Sequence, residues 1–273
     1  MTTTVGFIGA GQLGEPMVLR LVGIGHRVLV YSRRHEVRDR LTDVGAAMAG
    51  SVAELAAQSD ILLSCLFSDA QLRETGLGPD GFIANARPDS VFVSHTTGTV
   101  ATLEALRDSS PSAPVILDAP VSGTAENIAA GTLTVLVGGP ADAVRKVTPV
   151  LAAYADPVVP TGDLGTALGI KLINNLLFAA NAQLVAAATQ LGGKLNVDPG
   201  ALLSALQVCS GRSSAAAHAH RIGGTDRFTE LAGPFLRKDV AACREAAAEA
   251  GIDLGLLGTV VRTGPLALDD AAL

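Results

Sequence analysis

The feature that most constrains this chain is an alternation. Short apolar runs at residues 5–8, 27–31, 61–66, 91–94 and 115–117 are rich in Val, Ile and Leu, with Gly, Asp or Pro nearby. Runs apolar on successive positions are strands buried on both faces. Between them lie helical stretches at 12–23, 35–43, 52–58, 69–75 and 100–109. Strand and helix in alternation predict a Rossmann-type, doubly wound, mostly parallel α/β sheet with right-handed crossovers. A further strand-like run at 132–137, a helix after Pro140 and a run at 157–160 continue it. The alternation stops at about Gly162. Beyond it the pattern is helical: 166–192, 199–209, 235–250 and 254–264, with Gly and Pro at their ends. The chain therefore reads as residues 1–161, a doubly wound α/β domain, and residues 162–273, an all-α domain.

Bulk properties exclude some partners. Net charge is -6 and no Lys/Arg run is present, which argues against a nucleic-acid backbone as ligand. Aromatics are 3% of the chain and Trp is absent, so stacking platforms for bases are scarce. Cys65, Cys209 and Cys243 are far apart and form no Cys-x-x-Cys, which suits a reducing cytoplasm and argues against disulfides or structural zinc. The N-terminus runs into the first strand with no signal-peptide pattern. Residues 166–192 are apolar and long enough to span a bilayer, but carry Lys171, Asn174, Asn175, Asn181, Gln183 and Gln190. Polar groups at that density are costly in lipid, so a helix buried in protein is expected, not a membrane anchor.

Four constellations point to chemistry. Gly9-Ala10-Gly11-Gln12-Leu13-Gly14 follows the first strand and opens a helix. Gly9 permits the tight turn, Gly11 lets backbone approach a pyrophosphate, and Gly14 allows helix to pack on strand. The helix N-terminus offers N–H groups and a positive dipole end to the phosphates. Ser32-Arg33-Arg34 ends the second strand, where an NAD site usually carries an acid for the ribose hydroxyl. Two guanidiniums and a hydroxyl suit a 2′-phosphate instead, which favours NADP(H), with NAD(H) as the alternative. Asp118-Ala119-Pro120-Val121-Ser122-Gly123-Thr124 leaves a strand through a sharp turn. The Ser122 hydroxyl and the Gly123 and Thr124 N–H groups suit a substrate carboxylate; an ordinary turn is the competing reading. Lys171 stands among Leu168, Ile170, Leu172 and Ile173, with Asn175 one turn on. Such a lysine either snorkels to solvent or, buried, exchanges a proton near neutrality as an acid/base. The nicotinamide site expected upstream favours the second. No metal site is expected: His218-Ala219-His220 lacks any His-Glu-x-x-His or carboxylate cluster.

Together these segments, in order over nearly the whole chain, resemble the β-hydroxyacid dehydrogenase family, which includes 3-hydroxyisobutyrate dehydrogenase and glyoxylate/succinic semialdehyde reductases and, more distantly, 6-phosphogluconate dehydrogenase. The resemblance implies a hydride transfer between NADP(H) and a small 3-hydroxy acid or semialdehyde carboxylate. It implies Lys171 as the catalytic residue and Ser122, Gly123, Thr124 and Asn175 as substrate-binding residues. Gly9, Gly11, Gln12, Leu13, Gly14, Ser32, Arg33, Arg34, Leu66, Phe67, Thr96, Thr97 and Lys238 would face the cofactor, with Lys238-Asp239 closing over the site. Relatives often carry Gly in place of Thr124 and Pro after the pair matched by Thr96-Thr97, where this chain has Gly98. His95 is expected to pack at a strand end. A homodimer through the helical domain is implied. The alternatives are an imine reductase of the same architecture, which retention of Lys171 disfavours, and a non-catalytic NADP-binding scaffold.

Overall fold

The computed structural model describes residues 3–249 and 251–268. Ala250, the expected end of one helix, and the last five residues of the expected helical domain lie outside them.

The first strands and helices follow the apolar pattern, except that residues 47–48 and 82–85 add a short strand and a short helix that it did not show. They are β1 (Thr4–Ile8), α1 (Gly14–Gly23), β2 (Arg27–Tyr31), α2 (His35–Asp43), β3 (Ala47–Met48), α3 (Val52–Gln58), β4 (Ile61–Ser64), α4 (Asp69–Gly76), α5 (Phe82–Asn85), β5 (Val91–Ser94), α6 (Val100–Asp108) and β6 (Val115–Asp118). Then come β7 (Val121–Ser122), α7 (Ala125–Ala130), β8 (Leu133–Gly138), α8 (Ala141–Leu151) and β9 (Ala155–Gly162). Serine and threonine hydroxyls start several helices: Ser51 caps α3, Ser68 caps α4 and Thr99 caps α6.

The sheet runs β3-β2-β1-β4-β5-β6-β8-β7, with β9 beside β8. Pairing is parallel from β3 to β6 and between β8 and β9, and antiparallel where β8 meets β6 and β7. Both faces are covered. Val5, Phe7, Val30, Leu63 and Val93 pack on one side; Ile8, Leu62, Phe92 and Ile116 pack on the other. That is the physical reason these strands are apolar on successive positions up to their carboxyl ends.

The helical elements are α9 (Thr166–Lys194), α10 (Pro199–Leu206), α11 (Ser214–Arg221), α12 (Thr225–Glu249) and α13 (Gly255–Thr263). The chain divides into two compact units, the first ending at Lys171 and the second beginning at Leu172, inside α9. The second unit has its own core, built on Leu176, Ala179, Phe228, Leu236 and Val240. Helix α9 is long and apolar enough to cross a membrane by length and composition. Within it Gln183 is 1% exposed. Its amide nitrogen donates to the Val261 and Leu266 carbonyls at 2.8 and 2.7 Å, and its Oε1 accepts the Leu266 N–H at 2.7 Å. A polar group met in full by neighbouring chain is characteristic of a protein interior.

Two helices depart from the expectation. Helix α11, started by Ser213 accepting from the Ala216 N–H at 3.1 Å, is too short and Ala-rich to show an apolar period. Helix α12 begins ten residues before Phe235 and runs through Pro234. Proline removes one helical hydrogen bond, yet buried Phe228, Leu236 and Val240 on either side hold the helix through it.

Candidate active site

The strand order reverses at β1, with β2 on one side and β4 on the other. At such a switch point the connections diverge and leave a crevice beyond the carboxyl ends of the strands. The Gly9–Gly14 turn leaves β1 into it. Gly9 has φ +90°, and a side chain there would strike the Cys65 carbonyl. At Gly14 an added Cβ would lie 3.0 Å from the Phe7 ring and collide with the Gly9 carbonyl. Gly11 differs: the nearest atom to an added Cβ is the Gly9 oxygen, 4.0 Å away. Packing of the chain on itself thus demands two of the three glycines. The third leaves open space, which fits a pyrophosphate drawn against the turn. Gln12 is exposed, while Leu13 packs on the sheet core, so only its backbone is left to face a ligand.

Beyond β2, the Ser32 hydroxyl accepts the Arg34 N–H at 3.3 Å. The Arg34 guanidinium reaches back to the Ala10 carbonyl at 2.9 Å, so it lies over the glycine turn. A cavity of about 350 Å³ is lined by Gly11, Gln12, Glu15, Pro16, Leu19 and Arg34. Arg33 is exposed beside it. Glu15, in the first turn of α1, is gripped by both nitrogens of Arg40 at 2.7 and 2.8 Å. That bond, with the charges of Arg40 and Arg34, holds its carboxyl below the usual range.

A polar row crosses the sheet at the carboxyl ends, where Ser64, Ser94 and Asp118 are register partners on β4, β5 and β6. All three are buried. The Thr96 hydroxyl just beyond is buried with no protein partner, which is what a bound polar group would engage. Thr97 and Leu66 are half-buried, and Phe67 is 72% exposed. The Asp69 carboxylate accepts the Thr99 N–H and hydroxyl at 2.9 and 3.0 Å, tying the loop after β5 to helix α4. His95 packs at its strand end, as expected. Its Nδ1 lies 2.6 Å from the Ala119 carbonyl and its Nε2 2.8 Å from the Tyr154 hydroxyl. The carbonyl fixes a proton on Nδ1, so Nε2 accepts from tyrosine. Burial, only partly offset by the Ala119 bond, pushes the His95 pKa down to about 4.

The segment after β6 is more ordered than the expected turn. Val121 and Ser122 form β7 against Val135 and Thr134 of β8, and Ser122 and Gly123 are exposed at its end. Thr124 requires a correction. Its N–H, expected to be open to a carboxylate, donates to the Asn127 Oδ1 at 2.9 Å and caps α7. A side chain three residues on outcompetes an external anion for that donor.

The Asp118 oxygens accept the N–H groups of Gly165 and Leu168, each at 2.8 Å. A carboxylate in the first turn of α9 satisfies two otherwise orphaned donors and complements the helix dipole. The absence of a side chain at Gly138 makes room for it. One buried residue therefore ties the end of β6, four positions before Ser122, to the turn of α9 that leads into Lys171. Lys171 itself is half-buried, between the buried and the snorkelling readings, and Ile170 and Ile173 beside it are 45% and 62% exposed. Asn175 is 7% exposed, and its Oδ1 accepts from Asn174 at 3.3 Å. The first unit thus gathers the glycine turn, the Ser32–Arg34 end, Thr96, Ser122, Gly123 and the start of the lysine helix; Asn175 and the exposed Lys238 belong to the second. His218 stands edge-on to Phe178, ring centroids 5.9 Å apart, and among the described residues no three potential metal ligands cluster.

Sequence reasoning assigned no role to Asp118, Glu15, Arg40 or Asn127. Asp118 carried a signal, a charged residue ending an apolar strand; the Glu15–Arg40 pair, 25 residues apart, carried none.

Residues 4–162 match the NAD-binding domain of 6-phosphogluconate dehydrogenase, and residues 165–265 match the NAD-binding domain of NADP-dependent 3-hydroxyisobutyrate dehydrogenase. A probable mitochondrial 3-hydroxyisobutyrate dehydrogenase of Dictyostelium discoideum is 31% identical over 210 residues, which are 77% of this chain and 65% of that protein. The matched region thus spans just under two thirds of that relative. An L-threonate dehydrogenase of Cupriavidus necator is 33% identical over 78% of this chain and 72% of its own. Among solved structures, the 3-hydroxyisobutyrate dehydrogenase of Mycobacterium tuberculosis with L-serine superposes with a TM-score of 0.85 at 26% identity, covering 96% of this chain and 92% of that one.

Proposed function

The chain belongs to the β-hydroxyacid dehydrogenase family of NAD(P)-dependent oxidoreductases, and from that premise we propose that it transfers hydride between NADP(H) and the carbinol or carbonyl carbon of a small 3-hydroxy acid or semialdehyde carboxylate. The observation that carries this reading is the Asp118 bridge, which couples the end of β6, four positions before Ser122, to the start of the helix bearing Lys171. Nicotinamide supplies or accepts the hydride. The chain handles the proton and the orientation. Lys171 donates a proton to the carbonyl oxygen during reduction and takes it from the hydroxyl in the reverse direction. Ser122, Gly123 and Asn175 hold the substrate. The preference for NADP(H) is supported by the missing acid after β2 and by Arg34 lining the cavity beside Gly11.

The test is oxidation of NADPH and NADH against small semialdehydes, 2-oxo acids and a cyclic imine, with Lys171→Ala in parallel. Turnover of an aldehyde acid falls about a thousandfold in the variant while cofactor affinity holds. Tight NADPH binding without lysine-dependent carbonyl turnover would replace this reading with imine reduction or a non-catalytic NADP-binding scaffold.

We also propose a homodimer through the helical unit. Ile173, Leu177, Leu184 and Leu191 are exposed along α9 at spacings that keep them on one face. Sedimentation at micromolar concentration reads a dimer; monomer alone would overturn it. The wide spacing of Cys65, Cys209 and Cys243, with no Cys-x-x-Cys, is the ground for proposing a cytoplasmic setting, which cell fractionation checks.

A further inference from the structure

We propose that Arg40 is a selectivity-determining residue for the phosphorylated nucleotide, acting by occupying Glu15 so that Arg34 stays open to the 2′-phosphate. This inference rests on the NADP(H) reading above.

Glu15 stands in an awkward place. It is in the first turn of α1 and lines the same cavity as Gly11, Gln12 and Arg34. In the chain alone, an acid there is favourable because it complements the helix dipole. With a dinucleotide bound, the same turn faces the pyrophosphate, and a second anion beside it repels. Glu15 also lies within electrostatic reach of Arg34. An unpaired carboxylate there would compete with a 2′-phosphate for that guanidinium.

Arg40 removes both problems. It stands in the last turn of α2 and binds both carboxylate oxygens, at 2.7 and 2.8 Å. A two-point Arg–carboxylate pair has fixed geometry, unlike most surface ion pairs. Glu15 is the less exposed partner, 19% against 54%. The carboxylate charge is thereby neutralised on the cavity side. The bridge also joins α1, whose start receives the pyrophosphate, to α2, whose start carries Arg33 and Arg34. One ion pair thus ties together the two elements that flank the cavity.

The experiment measures dissociation constants for NADPH and NADH with the wild-type chain, Arg40→Gln, Arg40→Lys, Glu15→Gln and the double variant Glu15→Gln/Arg40→Gln, at low and high salt, with a thermal melt of each. Arg40→Gln weakens NADPH about tenfold and NADH about threefold, an asymmetry that general loosening of the fold would not produce. The double variant returns NADPH affinity to within about twofold of wild type, and Glu15→Gln alone binds as well or better. Arg40→Lys retains part of the selectivity, because the charge remains without the two-point grip. The loss in Arg40→Gln shrinks at high salt. Failure of the double variant to recover would mean that Arg40 contacts phosphate itself or only supports the fold, and either overturns the proposal. Weakened NADPH binding in Glu15→Gln would do the same. Wild-type chain that binds neither nucleotide would instead defeat the NADP(H) reading, a result the wild-type arm reports separately.

Discussion

The α/β unit and the helical unit bury polar groups in different ways. In the first, Ser64, Ser94, His95, Thr96 and Asp118 are buried side by side where β4, β5 and β6 end. In the second, the buried polar residues described are Asn175 and Gln183, both on α9. The cause is the backbone. Parallel strands end together, and the loops leaving them carry N–H and C=O groups not committed to the ladder, so Asp118 and His95 find partners there, while the Ser64, Ser94 and Thr96 hydroxyls are buried with no protein partner. Helices use up their own backbone groups except at their ends. Gln183 accordingly reaches Val261 in the last turn of α13 and Leu266 just past it. The lesson is positional. The sheet end can hold polar groups in a prearranged set, while a bundle of Ala and Leu tolerates a few, Gln183 against a helix terminus and Asn175 beside Asn174 of its own helix.

Asp118→Ala breaks this contrast most severely. It leaves the Gly165 and Leu168 N–H groups buried without acceptors, and urea denaturation reads a loss of about 3–5 kcal/mol. Asp118→Asn, which keeps one acceptor oxygen, loses about half as much.

Gly14→Ala forces a side chain against the Gly9 carbonyl and the Phe7 ring, and costs about 3 kcal/mol of stability. Gly11→Ala meets open space, so it leaves the melting temperature unchanged and lowers dinucleotide affinity. Equal destabilisation by the two would mean that the turn serves the fold alone.

His95 makes the sheet end acid-sensitive. Its folded pKa, about 4, lies below the ordinary 6.5. The folded imidazole stays neutral while the unfolded one takes a proton, so its contribution is complete above pH 6.5 and is lost as pH falls toward 4. The loss amounts to at most about 3 kcal/mol. Denaturation at pH 7 and pH 4.5 measures it, and His95→Gln removes that share of the pH dependence. The helical unit sharpens the comparison at lower magnitude. Gln183→Leu leaves the Leu266 N–H and the Val261 and Leu266 carbonyls without their side-chain partner and costs about 2 kcal/mol by thermal melt.

Much of the site was legible before any coordinates. The glycine turn, the basic end of β2, the polar segment after β6 and Lys171 each occupy a contiguous stretch whose spacing carries meaning. The strands were legible for the same reason, since burial on both faces writes itself as unbroken Val, Ile and Leu. What was not legible depends on which groups the folded chain brings into contact or leaves exposed. Thr124 looked like an anion donor until Asn127 was seen to hold its N–H. Whether Lys171 was buried or reached solvent was open in the sequence, since its apolar neighbours do not show that Ile170 and Ile173 face outward. Helix α12 looked as though it began after Pro234, because a proline reads as a helix start when the contacts that carry the helix through it are unseen.

The sequence by itself determined the class of fold, the order of its elements and the residue types at each strand end, because these follow from local periodicity and from the backbone freedom of a few glycines. Only the tertiary structure decided that Asp118 caps the lysine helix, that His95 is held neutral between Ala119 and Tyr154, and that Arg40 answers Glu15. Those are pairings between groups 24 to 59 residues apart. Their physical basis is the cost of leaving a charge or hydrogen-bonding group unmet once the fold has brought it out of water, a cost that arises only when the chain has closed on itself.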